Sequence, residues 1–443
     1  MSLPPLLLRL PHLAATGLLL CALPVSVLSW SDSGPAFASD TSASFQTAED
    51  PTEDYWALSL RLSRLGLSQT QIRILWNRMG SDLARQLNEG GLLFADLAYL
   101  ALPNGRADLL ERYKAFSQRS PSLTAEEVVL QVNMGLDRPF YEDTQVVSSP
   151  AVTDVLVNKY HVLPADYVPE LTPLTGLGSG SLTPSAAEAF RQMAEAAQAD
   201  GISLRSVSAY RSYQTQRALY HSYASQWGQA NADTYSARAG SSEHQTGLAV
   251  DINVATRSAH FENTAAYAWL LEHCADYGFI LRYPEEKQHI TGYRFEPWHY
   301  RYVGTEIARV CMEQNLAYEE YMALLPAEES VLPPRLMFQG AVLELGEVPL
   351  LLNGTFYFPA APLAHALGWS VTWDGQELVL SCPGRQVVLA PWSRCQADGV
   401  ILEQTSPALP LDGSLYLPLE DLCAVLGVEL EWTQDGGCLL SPG

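Results

Sequence analysis

Three textures of hydrophobic and polar positions follow one another along the chain. From Asp54 to Met134 apolar residues recur at spacings of three and four, which predicts helices. YWALSLRLSRLG reads as one. SQTQIRILWNRM reads as a second, with Ser68 as its N-cap, and TAEEVVLQVNMGL as a third, capped by Ser122. A helical packing region spanning residues 54–150 is the expectation. The second texture, residues 151–327, is mixed. Val155 to Leu174 is a proline-rich, aperiodic strap. SLTPSAAEAFRQMAEAAQADG is a helix capped near Thr183 or Ser185 and stopped by Gly201, and ISLRSVSAY alternates like a strand. Helices follow over Gln214–Trp227 and Thr264–Tyr277, with short strands at FILRYP and HYRYVG. There is no regular strand–helix–strand repeat, so the class is α+β: a small antiparallel sheet with flanking helices.

The third texture, residues 333–443, is mostly β and internally repeated. LLLNGTFYFPAAPLAHALGWSVTW aligns without gaps on LPLDGSLYLPLEDLCAVLGVELEW. Asn353-Gly354 and Asp412-Gly413 sit between apolar strands, a strong hairpin signal. Each unit reads as hairpin, short helix and strand, and two units can bury their apolar faces on each other.

Composition narrows the function classes. The chain has 443 residues, enough for two or three domains, and 47% hydrophobic residues, enough for sizeable cores. A formal net charge of −23 argues against nucleic-acid binding, which needs clustered Lys and Arg. At the N-terminus Arg9 precedes an apolar run from Leu13 to Trp30 and then Ala36-Phe37-Ala38. That order reads as a signal peptide cut after Ala38; the alternatives are an uncleaved anchor and, against the bulk of Leu20, a lipobox at Leu18-Leu19-Leu20-Cys21. Residues 39–53 read as a linker, and either way the bulk of the chain is expected outside the cytoplasm. The cysteines beyond the signal, Cys274, Cys311, Cys382, Cys395, Cys423 and Cys438, form no C-x-x-C pair, so a cysteine metal site is not expected.

Candidate chemistry lies in the middle region. In SSEHQTGLAVDI, His244 and Asp251 are two residue types that suit zinc. Gly247 permits a tight turn, and Ala249 alternates with Asp251 on one face of a strand. Downstream, FEPWHYRYVG supplies Glu296 and His299. Pro297 argues against a helix interior there, so a turn or bulge must orient the pair. A catalytic zinc site uses three protein ligands, an open position and commonly a carboxylate base, and the chain supplies each part once. His289 reads as a rim residue, and His221, His260 and His273 as structural. Glu243 reads as a solvated charge or one behind a ligand.

These motifs resemble the VanY-type branch of the zinc D-alanyl-D-alanine carboxypeptidases. The similarity runs over roughly Val155 to Leu325 and includes SAYRSYQTQ, GFILRYP and ITGYRFEPWHYRYVG. It implies one zinc ion on His244, Asp251 and His299, Glu296 as general base, and Arg211 beside the substrate. It further implies Gln216 and Ser242 as pocket-lining positions and a peptidoglycan stem peptide as substrate. Ser212 and Trp298 are expected beside them as substrate-binding residues, Trp298 as core or pocket wall. Within that resemblance, L,D-carboxypeptidase and crosslink endopeptidase activities stay open. A non-catalytic wall-binding module is the reading from another class, and Glu296 speaks against it because a structural metal needs no base. The C-terminal repeat is similar to the stalk-like modules named from copper amine oxidase N-terminal regions. It implies a spacer or wall-contact role and no copper chemistry.

Overall fold

The computed structural model describes residues 51–327, 334–352, 354–373, 376–402, 404–411, 414–433 and 437–442. The signal segment and most of the linker lie outside the described residues, as do Asn353, Asp412 and Gly413 of the hairpin turns. No described helix is long and apolar enough to cross a membrane. The chain divides into two compact units: one takes in residues up to Ala107 together with those from Pro326 on, and the other is Asp108–Leu325.

In the first unit the two repeats pair through their second strands. Thr355–Pro359 and Ser414–Pro418 run antiparallel with Phe358 opposite Leu417, flanked by Leu350–Leu352 and Leu409–Leu411. The helices Ala360–Ala366 and Leu419–Leu426 close over a core that includes Phe358, Leu363, Leu417 and Leu422. Burial of matching apolar faces drives this pairing, as the repeat predicts. The helix Gln69–Met79 belongs to the same unit. Its Asn77 amide donates to the Pro349 carbonyl and accepts from the Leu351 N–H, both at 3.0 Å, and the Trp76 indole donates to the Leu351 carbonyl at 2.9 Å. These bonds satisfy the open edge of the strand Leu350–Leu352, which would otherwise invite pairing. The expected helical region 54–150 is therefore split. Its first helices join the C-terminal repeat and its later ones the central unit, because edge satisfaction is a long-range demand that local periodicity does not carry. Ser68 caps as expected, but the third helix starts at Ala125 with Thr124, not Ser122, as its cap, in a reciprocal box with Glu127.

The central unit is α+β, as its pattern predicts. A four-stranded antiparallel sheet runs in the order Leu204–Ser208, Ala249–Val254, His299–Tyr302, Phe279–Leu281. The helices Pro184–Ala199 and Ala265–His273 pack on one side through Phe190, Met193, Leu270 and Ile252. The other side of the two central strands carries the polar cluster described next. The six described cysteines are free thiols.

Candidate metal centre and active-site cleft

Strand register assembles the centre. Asp251 lies directly opposite His299, and opposed residues of an antiparallel pair share a face with Cβ atoms about 5 Å apart. His244 arrives from the 3-10 turn Glu243–Thr246, which ends at Gly247 with φ +69°. A Cβ at Gly247 would meet Pro169 and Leu171 side-chain atoms at 3.2 Å and Thr183 at 3.3 Å. Gly247→Ala is therefore expected to cost at least about 1–2 kcal/mol from the left-handed backbone alone. A thermal unfolding midpoint equal to that of the unaltered protein would show that the turn accepts a side chain. Glu296 and His299 are joined by a turn in which the His299 N–H donates to the Glu296 carbonyl at 3.1 Å. That turn supplies the reorientation that their odd spacing requires.

Asp251 Oδ1 lies 3.4 Å from His244 Nε2 and 3.2 Å from His299 Nδ1. It is buried and has no hydrogen-bond partner among the described residues. Two ligands on a tetrahedral zinc at 2.0–2.1 Å lie ~3.3 Å apart, so the spacing and the donor types both fit that ion. Glu296 Oε2 stands 3.8 Å from His299 Nδ1, beside the three donors and not among them. The group opens into a cleft of about 320 Å³ lined also by Arg211, Gln216, Ser242 and Trp298.

Residues 179–305 match the D-alanyl-D-alanine carboxypeptidase (VanY) family, and residues 337–439 match the copper amine oxidase N-terminal domain. The bifunctional D-Ala-D-Ala dipeptidase and D-Ala-D-Ala carboxypeptidase VanXYC of Enterococcus gallinarum is 35% identical over 174 residues, which cover 38% of this chain and 91% of that one. The chain belongs to the VanY carboxypeptidase family. YodJ of Bacillus subtilis (strain 168), named as a carboxypeptidase, is 38% identical, with 40% of this chain and 69% of the relative covered. A D-alanyl-D-alanine carboxypeptidase of Enterococcus faecalis (strain ATCC 700802 / V583) is 38% identical, with 38% of this chain and 65% of the relative covered. Among solved structures, the LdcB LD-carboxypeptidase is 36% identical, with 42% of this chain and 92% of that chain covered, at a TM-score of 0.40. The relatives are peptidases, and the C-terminal module is of the copper amine oxidase N-terminal type.

Within this VanY fold the electrostatics separate the carboxylates. Burial would raise the Asp251 carboxyl, but the rings of His244 and His299 override it and hold it well below the ordinary carboxylate range. Glu296 goes the other way. Burial, reinforced by Asp251, pushes it up to about 7 against the opposing pull of His299 and Arg211. Burial lowers His244. In His299 burial is outweighed by Asp251 and Glu243, which bring it up to about 9. Two carboxylates of one cleft are thus driven apart.

The remaining expected residues fall into two groups. Arg211 donates to Gln216 Oε1 and to Ser208 Oγ, each at 2.9 Å, and Gln216 in turn donates to the Ala237 carbonyl at 2.6 Å. A register shift between Ser206 and Ser208 places Ser208 opposite Asp251, so this brace abuts the centre. Ser242 is buried and Trp298 is 37% exposed at the cleft. Ser212, expected at the substrate, instead caps the helix Tyr213–Trp227: its hydroxyl accepts from the Thr215 N–H and is absent from the cleft lining. His289, His221, His260 and His273 lie outside the cleft lining.

Sequence reasoning missed the tyrosines and the two arginines behind the candidate donors, and left Glu243 open between a solvated charge and one behind a ligand. Tyr283 lies tilted at 40° against His299 with ring centroids 4.8 Å apart, and Tyr293 is braced by the Tyr141 hydroxyl and the Lys159 ammonium. Glu243 is buried, not solvated, between Arg282 and Arg301. The one available signal was arginine within otherwise apolar strand runs, FILRYP and HYRYVG, which buries a charge that must be paired.

Proposed function

We propose that this chain is a zinc-dependent carboxypeptidase that removes the terminal D-alanine from peptidoglycan stem peptides outside the cytoplasm. The reading rests on one observation: a buried, unpartnered Asp251 Oδ1 at ligand spacing from two histidine nitrogens, with Glu296 alongside. His244 Nε2, Asp251 Oδ1 and His299 Nδ1 would hold the ion. When bound, zinc supplies a Lewis acid that acidifies water and polarises the scissile carbonyl. Glu296 takes the proton from the attacking water and passes it to the leaving D-alanine amine. Arg211, braced by Gln216 and Ser208, presents its guanidinium to the substrate's terminal carboxylate, which a planar fork suits. Ser242 and Trp298 wall the peptide. The C-terminal repeat serves as a spacer or wall-contact module.

The test offers the chain from Ser39 onward a pentapeptide ending in D-Ala-D-Ala and a tetrapeptide ending in one D-Ala, with and without chelator. Chelator-sensitive D-alanine release from the pentapeptide is expected. Release from the tetrapeptide alone would move the activity to the L,D class with the same centre. No release from either, with zinc bound, would defeat the carboxypeptidase reading.

The pH profile follows from Glu296. The base works ionised, so kcat/KM rises with pH through its pKa. That value is about 7 without the ion, and a neighbouring dication lowers it further. The acid limb is expected to titrate at or below about 7; a limb centred well above that would remove Glu296 from the role.

A further inference from the structure

The two histidines of the centre turn different nitrogens toward Asp251, and each has its other nitrogen held from behind. His244 presents Nε2 while its Nδ1 lies 2.7 Å from the Ala209 carbonyl oxygen. A carbonyl only accepts, so the Nδ1–H donates to it. His299 presents Nδ1, and its Nε2 faces Glu243 Oε2 at 3.4 Å. A neutral imidazole carries one N–H. A carboxylate behind Nε2 therefore selects the tautomer whose Nδ1 lone pair points into the centre.

Glu243 is built for that one contact. Its other oxygen, Oε1, accepts from Arg282 Nε at 2.8 Å and from an Arg301 guanidinium nitrogen at 3.2 Å. Both arginines are fixed in turn. Arg282 makes a two-bond fork to Glu319 at 2.8 and 2.6 Å, and Arg301 donates to the Thr153 and Val155 carbonyls at 2.9 and 2.8 Å. Arg282, Arg301 and Glu243 have fully buried side chains. Burying three charged groups is costly and is repaid only by tight mutual geometry. Of the three only Glu243 reaches the imidazole, at its Nε2 edge, while the two arginines hold the carboxylate in that position. Glu319 and Thr153 lie outside the family-matched segment 179–305, so the flanks of the unit reach the centre through this relay.

We propose that Glu243 is a positioning residue for the metal ligand His299, clamped by Arg282 and Arg301, with Glu319 as the outer anchor. The inference rests on the zinc reading above. A carboxylate behind a ligating histidine raises its basicity and fixes its orientation, and losing it costs about 10–100-fold in metal affinity. Glu243→Gln keeps the shape. Its amide oxygen is drawn to the two guanidiniums, which leaves the NH2 group facing His299 Nε2. That favours the opposite tautomer and turns Nδ1 into a donor.

The test has two arms. The first measures zinc affinity by chelator competition for the full chain and for Glu243→Gln, with KM at saturating zinc recorded beside it. The expected result is zinc binding weakened about 10–100-fold with KM unchanged. A folded variant that binds zinc as tightly as the unaltered chain would overturn the proposal, and a loss of thermal stability alone would do the same. The second arm needs no variant: histidine 15N NMR of the zinc-loaded chain. One ligand bound through Nδ1 with a protonated Nε2 supports the proposal, and ligation of His299 through Nε2 overturns it. A native chain that takes up no zinc would instead overturn the metal centre itself, which separates the two failures.

Discussion

Glu296→Gln is expected to lower kcat by about 10²–10⁴-fold, the range for a removed general acid–base group. Zinc uptake and the thermal midpoint should stay close to those of the unaltered chain. The separation follows from position. Glu296 Oε2 is 3.8 Å from His299 Nδ1 and stands outside the three-donor group, so the metal can be held without it. Its side chain is only partly buried, and a neutral amide removes a group whose ionisation the cleft already disfavours. The fold therefore loses no paired charge. What disappears is proton transfer in both halves of the reaction. KM should change little, because the proposed peptide contact is made by Arg211 and not by Glu296. Steady-state kinetics with metal content measured on the same samples decides it. Retained turnover would remove Glu296 from the role of general base, and lost zinc would make Glu296 a ligand.

The largest stability effect is expected at Arg282. Arg282→Met should destabilise the central unit by about 3–5 kcal/mol, the cost of breaking a buried ion pair from one side. The guanidinium has zero exposure, serves both Glu243 and Glu319, and lies over the rings of Tyr283 and Tyr318 at 4.9 and 5.7 Å. Methionine restores some of the volume but leaves two buried carboxylates. Glu243 keeps Arg301, and among the described residues Glu319 keeps only the Asn158 amide at 3.3 Å as a side-chain hydrogen-bond donor. Arg282→Lys retains the charge yet loses the fork, so it should recover only part of the loss. The double variant Arg282→Met with Glu319→Gln should cost less than the two single changes added together, because it removes both ends of one pair. Chemical denaturation of each variant measures this. Additive losses would show that the pair is not coupled.

Much of the centre was legible in the chain itself. His244, Gly247, Ala249 and Asp251 carry a turn-then-strand pattern, and Pro297 forbids a helix between Glu296 and His299. Those are local constraints: a glycine that tolerates positive φ, a two-residue alternation, a ring that removes an N–H. The helices after Ser68 and Thr183 and the β-rich repeat were legible for the same reason, because periodicity and capping act over a few residues. Ser212 shows the limit. A serine next to Arg211 was expected at the substrate, but the helix start claims its hydroxyl.

What the sequence determined by itself is the set of candidate donors, the candidate base, the turn between His244 and Asp251, and the apolar periodicities that build each layer. Tertiary structure alone decided which strands pair and in what register, and so set Asp251 opposite His299. It also decided which nitrogen each histidine turns inward, that Glu243 in a polar-looking run is buried against two arginines, and that Asn77 closes a strand edge hundreds of residues away. The physical reason is common to all four. Register, tautomer and the burial of a charge depend on groups brought together by folding, and no short window of sequence contains both partners.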